Sequence, residues 1–533
     1  MIKKILSLLI FLIFLCSNFV NGLEIQSQSI LSENNISAQL FREITVDDEG
    51  DGNFTSIQAA INNALPGDKI KVFSGIYNGS LQVNTNGIII EGIDQELGLG
   101  EDEGLPIVDG VYSGDVIIIT ADNIVIRNLI IRNSGQNLFD AGIQIYSDYN
   151  TISRCVFYGN RYGININLHD NNIITENIIT LNSADGIIIF SSKGNTISNN
   201  NISDNELQGI FLLDADQNLI NDNIINLNGN DGVHISEFCQ YNEISQNTIN
   251  LNGIDGVKMF FNDNSDNVIL DNIINYNVWN GIHFLDGHDN QILSNKIYAN
   301  HYNGIHFGNA DENKIIGNTI SYSSNEGIFI SDFSRDNEIY YNNIIFNSAK
   351  DKGGNIWNNE YPLGGNHWTY YSGIDANGDG IGDTPFLVPG GDNVDNFPIM
   401  QPVTSPNIPN RPKGRAIVET DKVYTYSTST TDSNNDSFQY GWDWNGDKVA
   451  DQWTDFYFSG EKCEISHIWD ENGTFIVYVS ARDIRGMVSE WSGGLTVIVP
   501  RKKASLETPY NLFKYNFNLL SALKILLQRS IFI

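Results

Sequence analysis

The residues most able to do chemistry recur at one position of a repeat. The second residue after each of six glycines is Phe211, His234, Lys258, His283, His306 or Phe329. Asp231 and Asp255 stand directly before two of those glycines, and Asp214, Glu237, Asp286 and Asp332 five residues after four of them. An imidazole changes charge near neutral pH and works beside a carboxylate as acid or base. Asp231, Asp255, His234, Lys258, His283 and His306 are therefore the candidate catalytic set, suited to proton transfer on a sugar. With the nearby rings of Trp279 and Tyr302, the residues Phe211, His234, Lys258, His283 and His306 form a candidate surface for a polysaccharide chain. His283 and His306 are also candidate copper or zinc ligands. The chain has only four methionines, which leaves no thioether track for copper.

A second chemistry lies further on. Asp375, Asn377, Asp379, the Ile381 carbonyl and Asp383 place oxygen donors at every other residue with glycines between, a pattern suited to calcium. A weaker copy is Asp443, Asn445, Asp447, the Val449 carbonyl and Asp451. Both are expected to be structural sites, and a closed turn built by aspartate and asparagine side chains is the alternative.

The elements that must position these residues are set by a glycine beat. Gly142, Gly163, Gly186, Gly209, Gly232, Gly256, Gly281, Gly304 and Gly327 lie 21 to 25 residues apart, each opening a phrase like GIHF and followed by two short Asn-flanked apolar runs. Such a period marks stacked supersecondary units. Apolar residues alternate within each run, as in strands. A leucine-rich repeat has a similar period but uses Leu and a helical back. Three short strands per turn of a right-handed parallel β-helix, about ten coils in all, fit the Ile and Asn usage better. Three asparagine columns follow, starting at Asn123, Asn128 and Asn133. Asn tolerates left-handed backbone at corners and bonds along a stack, so these columns read as structural.

Composition bounds the rest. The net charge of −34 disfavours nucleic acid and anionic membranes and is compatible with cations. Lys3 and Lys4 precede an apolar run, so residues 1–22 read as a secretory signal. A linker (23–41), an N-terminal cap with first irregular coils (42–113), the repeats (114–353), a C-terminal cap (354–402) and a Pro-rich linker (403–414) follow. In the cap, Ile57, Ala60, Ile61 and Ala64 give one apolar helix face behind Thr55 or Ser56. Residues 415–500 alternate like a small β-sandwich, and 501–533 form a basic amphipathic tail that suggests surface association. Cys155, Cys239 and Cys463 are too scattered for a disulfide framework and read as buried thiols.

With these residues in view, the chain resembles the NosD-type family of secreted β-helix repeat proteins, of pectin-lyase-like fold. The resemblance rests on TSIQAAINNALPGDKIKVFSGIY, on the coil phrase, and on GNHWTYYSGIDANGDGIGDTPFLVPGGDNVDNFPIM. YGWDWNGD and HIWDENGTFIVYVSARD resemble PKD-type, immunoglobulin-like sandwiches. The resemblance implies an all-β, extracytoplasmic, carbohydrate-related or surface protein; NosD proteins themselves are linked with copper delivery. The paired-Asp and G-H-G arrangement of β-helix polygalacturonases is missing. Arginine is nearly absent from Gly163 to Asn325, which leaves no evident lyase set. The sequence thus reads as a secreted or cell-surface module that binds a polysaccharide or envelope glycan. A polysaccharide lyase or hydrolase is the alternative, and a copper-handling accessory protein the second.

Overall fold

The computed structural model describes residues 42–501 apart from Leu99, Asn262 and Asp263. The signal, the first linker and the basic tail lie outside the described residues. Each coil runs through three short strands and then rises one step, so strands about two dozen residues apart pair in parallel. Three parallel sheets result. The glycine sheet has 12 strands, from Leu81–Val83 to Ala349–Asp351. The first asparagine sheet has 14, from Glu43–Val46 to Gly354–Ile356, and the second has 13, from Ile76–Asn78 to His367–Trp368.

The stack therefore exceeds the ten coils expected. The added turns lie in the two cap regions, where the chain coils without the glycine beat, although Asn355 and Asn366 carry two of the asparagine ladders on into the C-terminal cap. Inward residues fill the interior: Ile282, Phe284, Ile292 and Ile297 of one coil are wholly buried. Phe284 stacks on Phe307 of the next coil at 5.0 Å between centroids. Because side chains alternate across a strand, His283 between Ile282 and Phe284 is sent outward.

The asparagine columns bond from coil to coil. Asn200 Oδ1 accepts the Asn177 main-chain N–H at 2.9 Å and its amide Nδ2 at 3.0 Å, while Asn200 Nδ2 donates to the Ile174 carbonyl at 2.8 Å. The backbone detail differs from expectation. The left-handed residue is generally the one before the ladder position: Glu176 before Asn177, Asn199 before Asn200, Asp222 before Asn223. In the first regular coil Asn123, Asn128 and Asn133 are themselves left-handed, which moves the ladder position to Ile124, Leu129 and Ser134. Accordingly the N–H groups of Ile124 and Ser134 donate to the side chains of Asn150 and Asn160. The three columns thus start one residue later than the sequence suggests.

Both ends are closed. A short helix, Ile57–Asn63, is capped by Ser56, whose side chain accepts from the Ala59 N–H. Its buried residues Ile57, Ala60 and Ile61 lie against the first strands. At the other end Trp357 and Trp368 are buried and donate to Asp351 and Asp395 at 2.7 and 2.8 Å. Beyond it, antiparallel sheets of two and four strands enclose Tyr426, Trp442, Trp444 and Trp469. This sandwich leans on the last coils: Met487 joins Tyr341, Ile399 and Val403 in one cluster, and Arg485 donates to the Leu363 carbonyl at 3.2 Å.

Candidate functional site

The glycine sheet carries the imidazole strip because its glycines bring neighbouring coils close. A Cβ at Gly256 would lie 2.6 Å from the Gly281 carbonyl and 2.5 Å from Ile274 Cγ2. The register then aligns Phe211, His234, Lys258, His283, His306 and Phe329 as lateral neighbours. The six candidate residues are brought together as the spacing predicts.

They are not a loose, solvated face. Asp231 and Asp255 are each 1% exposed and His283 is 6% exposed. The residues before the glycines form a fourth ladder. Asp231 Oδ1 accepts the Asp255 N–H at 3.0 Å, and Asp255 Oδ1 accepts both the N–H and the amide of Asn280 at 2.9 Å. Asn280 Oδ1 in turn accepts both groups of Asn303. The second oxygens of the aspartates point to the strip. Asp231 Oδ2 lies 2.8 Å from His234 Nδ1 and 3.8 Å from Lys258 Nζ. Asp255 Oδ2 lies 2.8 Å from His283 Nδ1, across a coil boundary.

These contacts set protonation. Burial pushes the Asp255 carboxyl up, but the His283 imidazole and the Asn280 donors outweigh it and hold the group below its ordinary value. An ionised carboxylate only accepts, so His283 Nδ1 carries a proton, and the ring's other nitrogen, Nε2, points away from Asp255. That atom is buried without a hydrogen-bond partner, as is Nδ1 of His306. The two rings stack at 4.6 Å between centroids and 10° between planes. Burial and the His283 ring push His306 down to about 4. Burial also pushes Asp185, one of the residues before a glycine, up to about 7.

The stacked rings do not fit copper. Nitrogen lone pairs lie in the ring planes, and two nearly parallel planes do not meet on one ion between them. Among the described residues, His283 and His306 join no group of three converging metal donors. Aromatic edges bound the strip instead. Phe211 meets His234 at 5.2 Å, Phe329 meets His306 at 5.0 Å, and Lys258 Nζ lies 5.5 Å from the centre of Phe260. Trp279 and Tyr302, 53% and 47% exposed, face solvent with centroids 6.1 Å apart.

The two aspartate loops have similar hydrogen-bond patterns. Asp375 accepts the N–H groups of Gly378, Asp379 and Gly380, Asp379 that of Ile381, and Asp383 that of Ala376. Asp443 accepts those of Asn445, Gly446 and Lys448, Asp447 that of Val449, and Asp451 that of Trp444. Asn377 and Asn445 accept at matching places. The turns thus close on their own amides. The three cysteines are free and buried, and burial pushes Cys155 and Cys239 up to about 12.

Sequence reasoning missed two features. Gln144 lies in the strip's column four coils before His234, buried, with neither amide atom paired. Its β-strand spacing was the available signal. The other is a group of carboxylates in the N-terminal cap, formed by Asp47, Asp48, Glu49, Glu96 and Asp102. The run VDDEGDG gave three of the five; the other two come from a loop some fifty residues on.

Residues 114–265 match the family described as right handed beta helix region. Residues 237–373 match the family described as periplasmic copper-binding protein (NosD). No curated protein matches the chain. Among solved structures, the PKD domain of an M14-like peptidase from Thermoplasmatales archaeon SCGC AB-540-F20 is 38% identical, over 18% of this chain and 98% of that one, with a TM-score of 0.17. The A-module of mannuronan C-5 epimerase AlgE6 from Azotobacter vinelandii is 17% identical, over 56% and 92% of the two chains, with a TM-score of 0.45. DFA-IIIase from Arthrobacter chlorophenolicus A6, without its lid, is 14% identical, over 58% and 98%, also with a TM-score of 0.45. Fold and repeat define a parallel β-helix followed by a small antiparallel β-sandwich, with segments of the helix similar to the right handed beta helix and NosD families.

Proposed function

We propose that the glycine sheet binds a polysaccharide or envelope glycan laid along the solenoid axis, in an extracytoplasmic protein. The observation that carries this reading is the pairing of a fixed polar strip, Asp231 to His306, with the exposed rings of Trp279 and Tyr302. Sugar rings stack on aromatic faces while their hydroxyls need donors and acceptors in fixed places. Among the described residues no helix is long and apolar enough to cross a membrane. The test is binding of the full chain to a panel of neutral and acidic polysaccharides. Retention of one class, weakened at least tenfold in Trp279→Ala/Tyr302→Ala, supports the reading. Equal retention by the double variant overturns it.

A second reading is supported by the Asp255–His283 pair. The carboxylate orients the imidazole and leaves Nε2 free to take a proton, as a general base requires. In this reading the same face is that of a polysaccharide lyase or hydrolase, and Lys258 is the cation that meets an acidic sugar. Release of unsaturated or reducing ends, lost in His283→Ala, would establish it. Calcium in the 375–383 and 443–451 loops belongs to the proposal as a structural element. Its support is the shared Asp-x-Asn-x-Asp arrangement. Among the described residues, the hydrogen-bond partners of these carboxylates are backbone amides, Asn377 and Tyr361, none of them basic.

A further inference from the structure

The cap carboxylates come from two loops. Asp47, Asp48 and Glu49 follow the strand Glu43–Val46; Glu96 and Asp102 lie between the strands Ile89–Gly92 and Ile107–Asp109. Oxygens of Asp47, Asp48 and Glu49 lie within 4.8 Å of one another, and so do oxygens of Glu49, Glu96 and Asp102. Twice the 2.3–2.6 Å of a calcium–oxygen bond spans about that distance. Glu49 belongs to both groups.

Acidic groups cluster on many surfaces without a ligand, but one member of this cluster is wholly buried. Asp47 is 0% exposed; its Oδ2 accepts the N–H groups of Gly50 and Asp51, while its Oδ1 is shut off from water and has no donor. Asp48 Oδ1 and Glu96 Oε2 are in the same condition. A buried, charged oxygen without a partner is unfavourable by several kcal/mol unless a cation meets it. Among the described residues no lysine, arginine or histidine forms an ion pair with any of the five. The backbone is shaped around them: Gly75 has φ +143°, and a Cβ there would lie 2.2 Å from Asp48 Oδ1.

We propose that Asp47, Asp48 and Glu49, closed over by Glu96 and Asp102, form a divalent-cation site that takes calcium. The donors are all oxygens, which suits a hard cation, and they sit on loops, which suits the adaptable shell of calcium better than the rigid octahedron of magnesium. The ion ties the first strand of the stack to the loop that follows Ile89–Gly92, the third strand of the same sheet. It locks the cap on which the helix Ile57–Asn63 sits.

The experiment is calorimetric titration of the full chain with calcium, paired with thermal unfolding in calcium and in chelator, for the unchanged protein and for Glu49→Gln/Glu96→Gln. The expected result is one fewer bound ion in the double variant, whatever the loops at 375–383 and 443–451 bind. In chelator the double variant should melt higher than the unchanged protein, because two repelling charges are gone. In calcium it should melt lower. A merely structural role for the two glutamates predicts lower melting in both conditions. Equal ion counts and affinities in the two proteins would overturn the site, as would loss of stability in chelator equal to that in calcium.

Discussion

The Asp255 carboxylate of one coil lies 2.8 Å from the His283 imidazole of the next. Sequence neighbours could not have made this bond. Lys258 occupies the imidazole's place in Asp255's own coil and reaches back to Asp231, so Asp255 pairs forward. Replacing Asp255 by Asn removes a charged acceptor and sets an amide against the His283 N–H. The expected loss is about 2–3 kcal/mol at neutral pH. The folded value of Asp255 is depressed, so its stabilisation is present above the unfolded carboxylate value, about 3.9, and is lost as pH falls through the folded one. Urea unfolding of Asp255→Asn and the unchanged protein should therefore converge in acid. A gap that stays constant down to the acid limit would contradict this.

His306 gives a pH effect in a higher window. Burial and the His283 ring depress it to about 4, with Asp255 opposing. As pH falls from about 6.5 the unfolded chain takes the proton first, so stability drops until about pH 4, where the folded protein also takes it. The variant His306→Phe should lack this part of the slope. Melting temperatures at closely spaced pH values between those limits would check it, and parallel curves would refute it.

Gly256 and Gly79 should respond differently to Ala. At Gly256 the new methyl would meet the Gly281 carbonyl, Ile274 and the Asn277 amide, all within 2.8 Å. Neighbouring coils would have to part, and a loss of roughly 3 kcal/mol or more is expected, as for an overpacked core. At Gly79 the methyl would meet nothing within 4 Å, and only the left-handed φ of +105° opposes it. The expected loss there is about 1–2 kcal/mol. Chemical denaturation of the two variants would decide, and equal losses would remove the close-approach explanation.

Asn200→Ala tests the ladders. The change strips the acceptor from two Asn177 donors and the donor from the Ile174 carbonyl, all buried. Unpaired buried groups are unfavourable by about 1–3 kcal/mol each, so a total loss of about 2–4 kcal/mol is expected after partial relaxation. A loss below 0.5 kcal/mol, roughly that of an ordinary surface change, would show that the column is ornamental.

Much of the fold was legible because each coil repeats the same physical demand. A glycine is needed where coils touch, an inward Ile on either side of each outward residue, an Asn at each corner. The strip from Phe211 to Phe329 follows from that register alone. The number of cap turns was less legible, since the first and last strands of the glycine sheet, Leu81–Val83 and Ala349–Asp351, lie outside the run of evenly spaced glycines from Gly142 to Gly327. The choice of partner was not legible: whether Asp255 meets its own coil or the next depends on Lys258 filling the nearer place. The start of the asparagine columns was misplaced by one residue because Asn123, Asn128 and Asn133 take the left-handed corner themselves. Convergence of Glu96 onto Asp47 depends on how two irregular loops fold over each other, which no periodicity records.

The contact of Met487 and Arg485 with the last coils has a mechanical meaning. Tension applied to the sandwich reaches the solenoid sideways, through Tyr341, Ile399 and Leu363, and along residues 403–413, which bond to Asn343 at one end and to the sandwich strand Val423–Ser429 at the other. Seam and segment share the first load, and the prism behind them is spared until they slip.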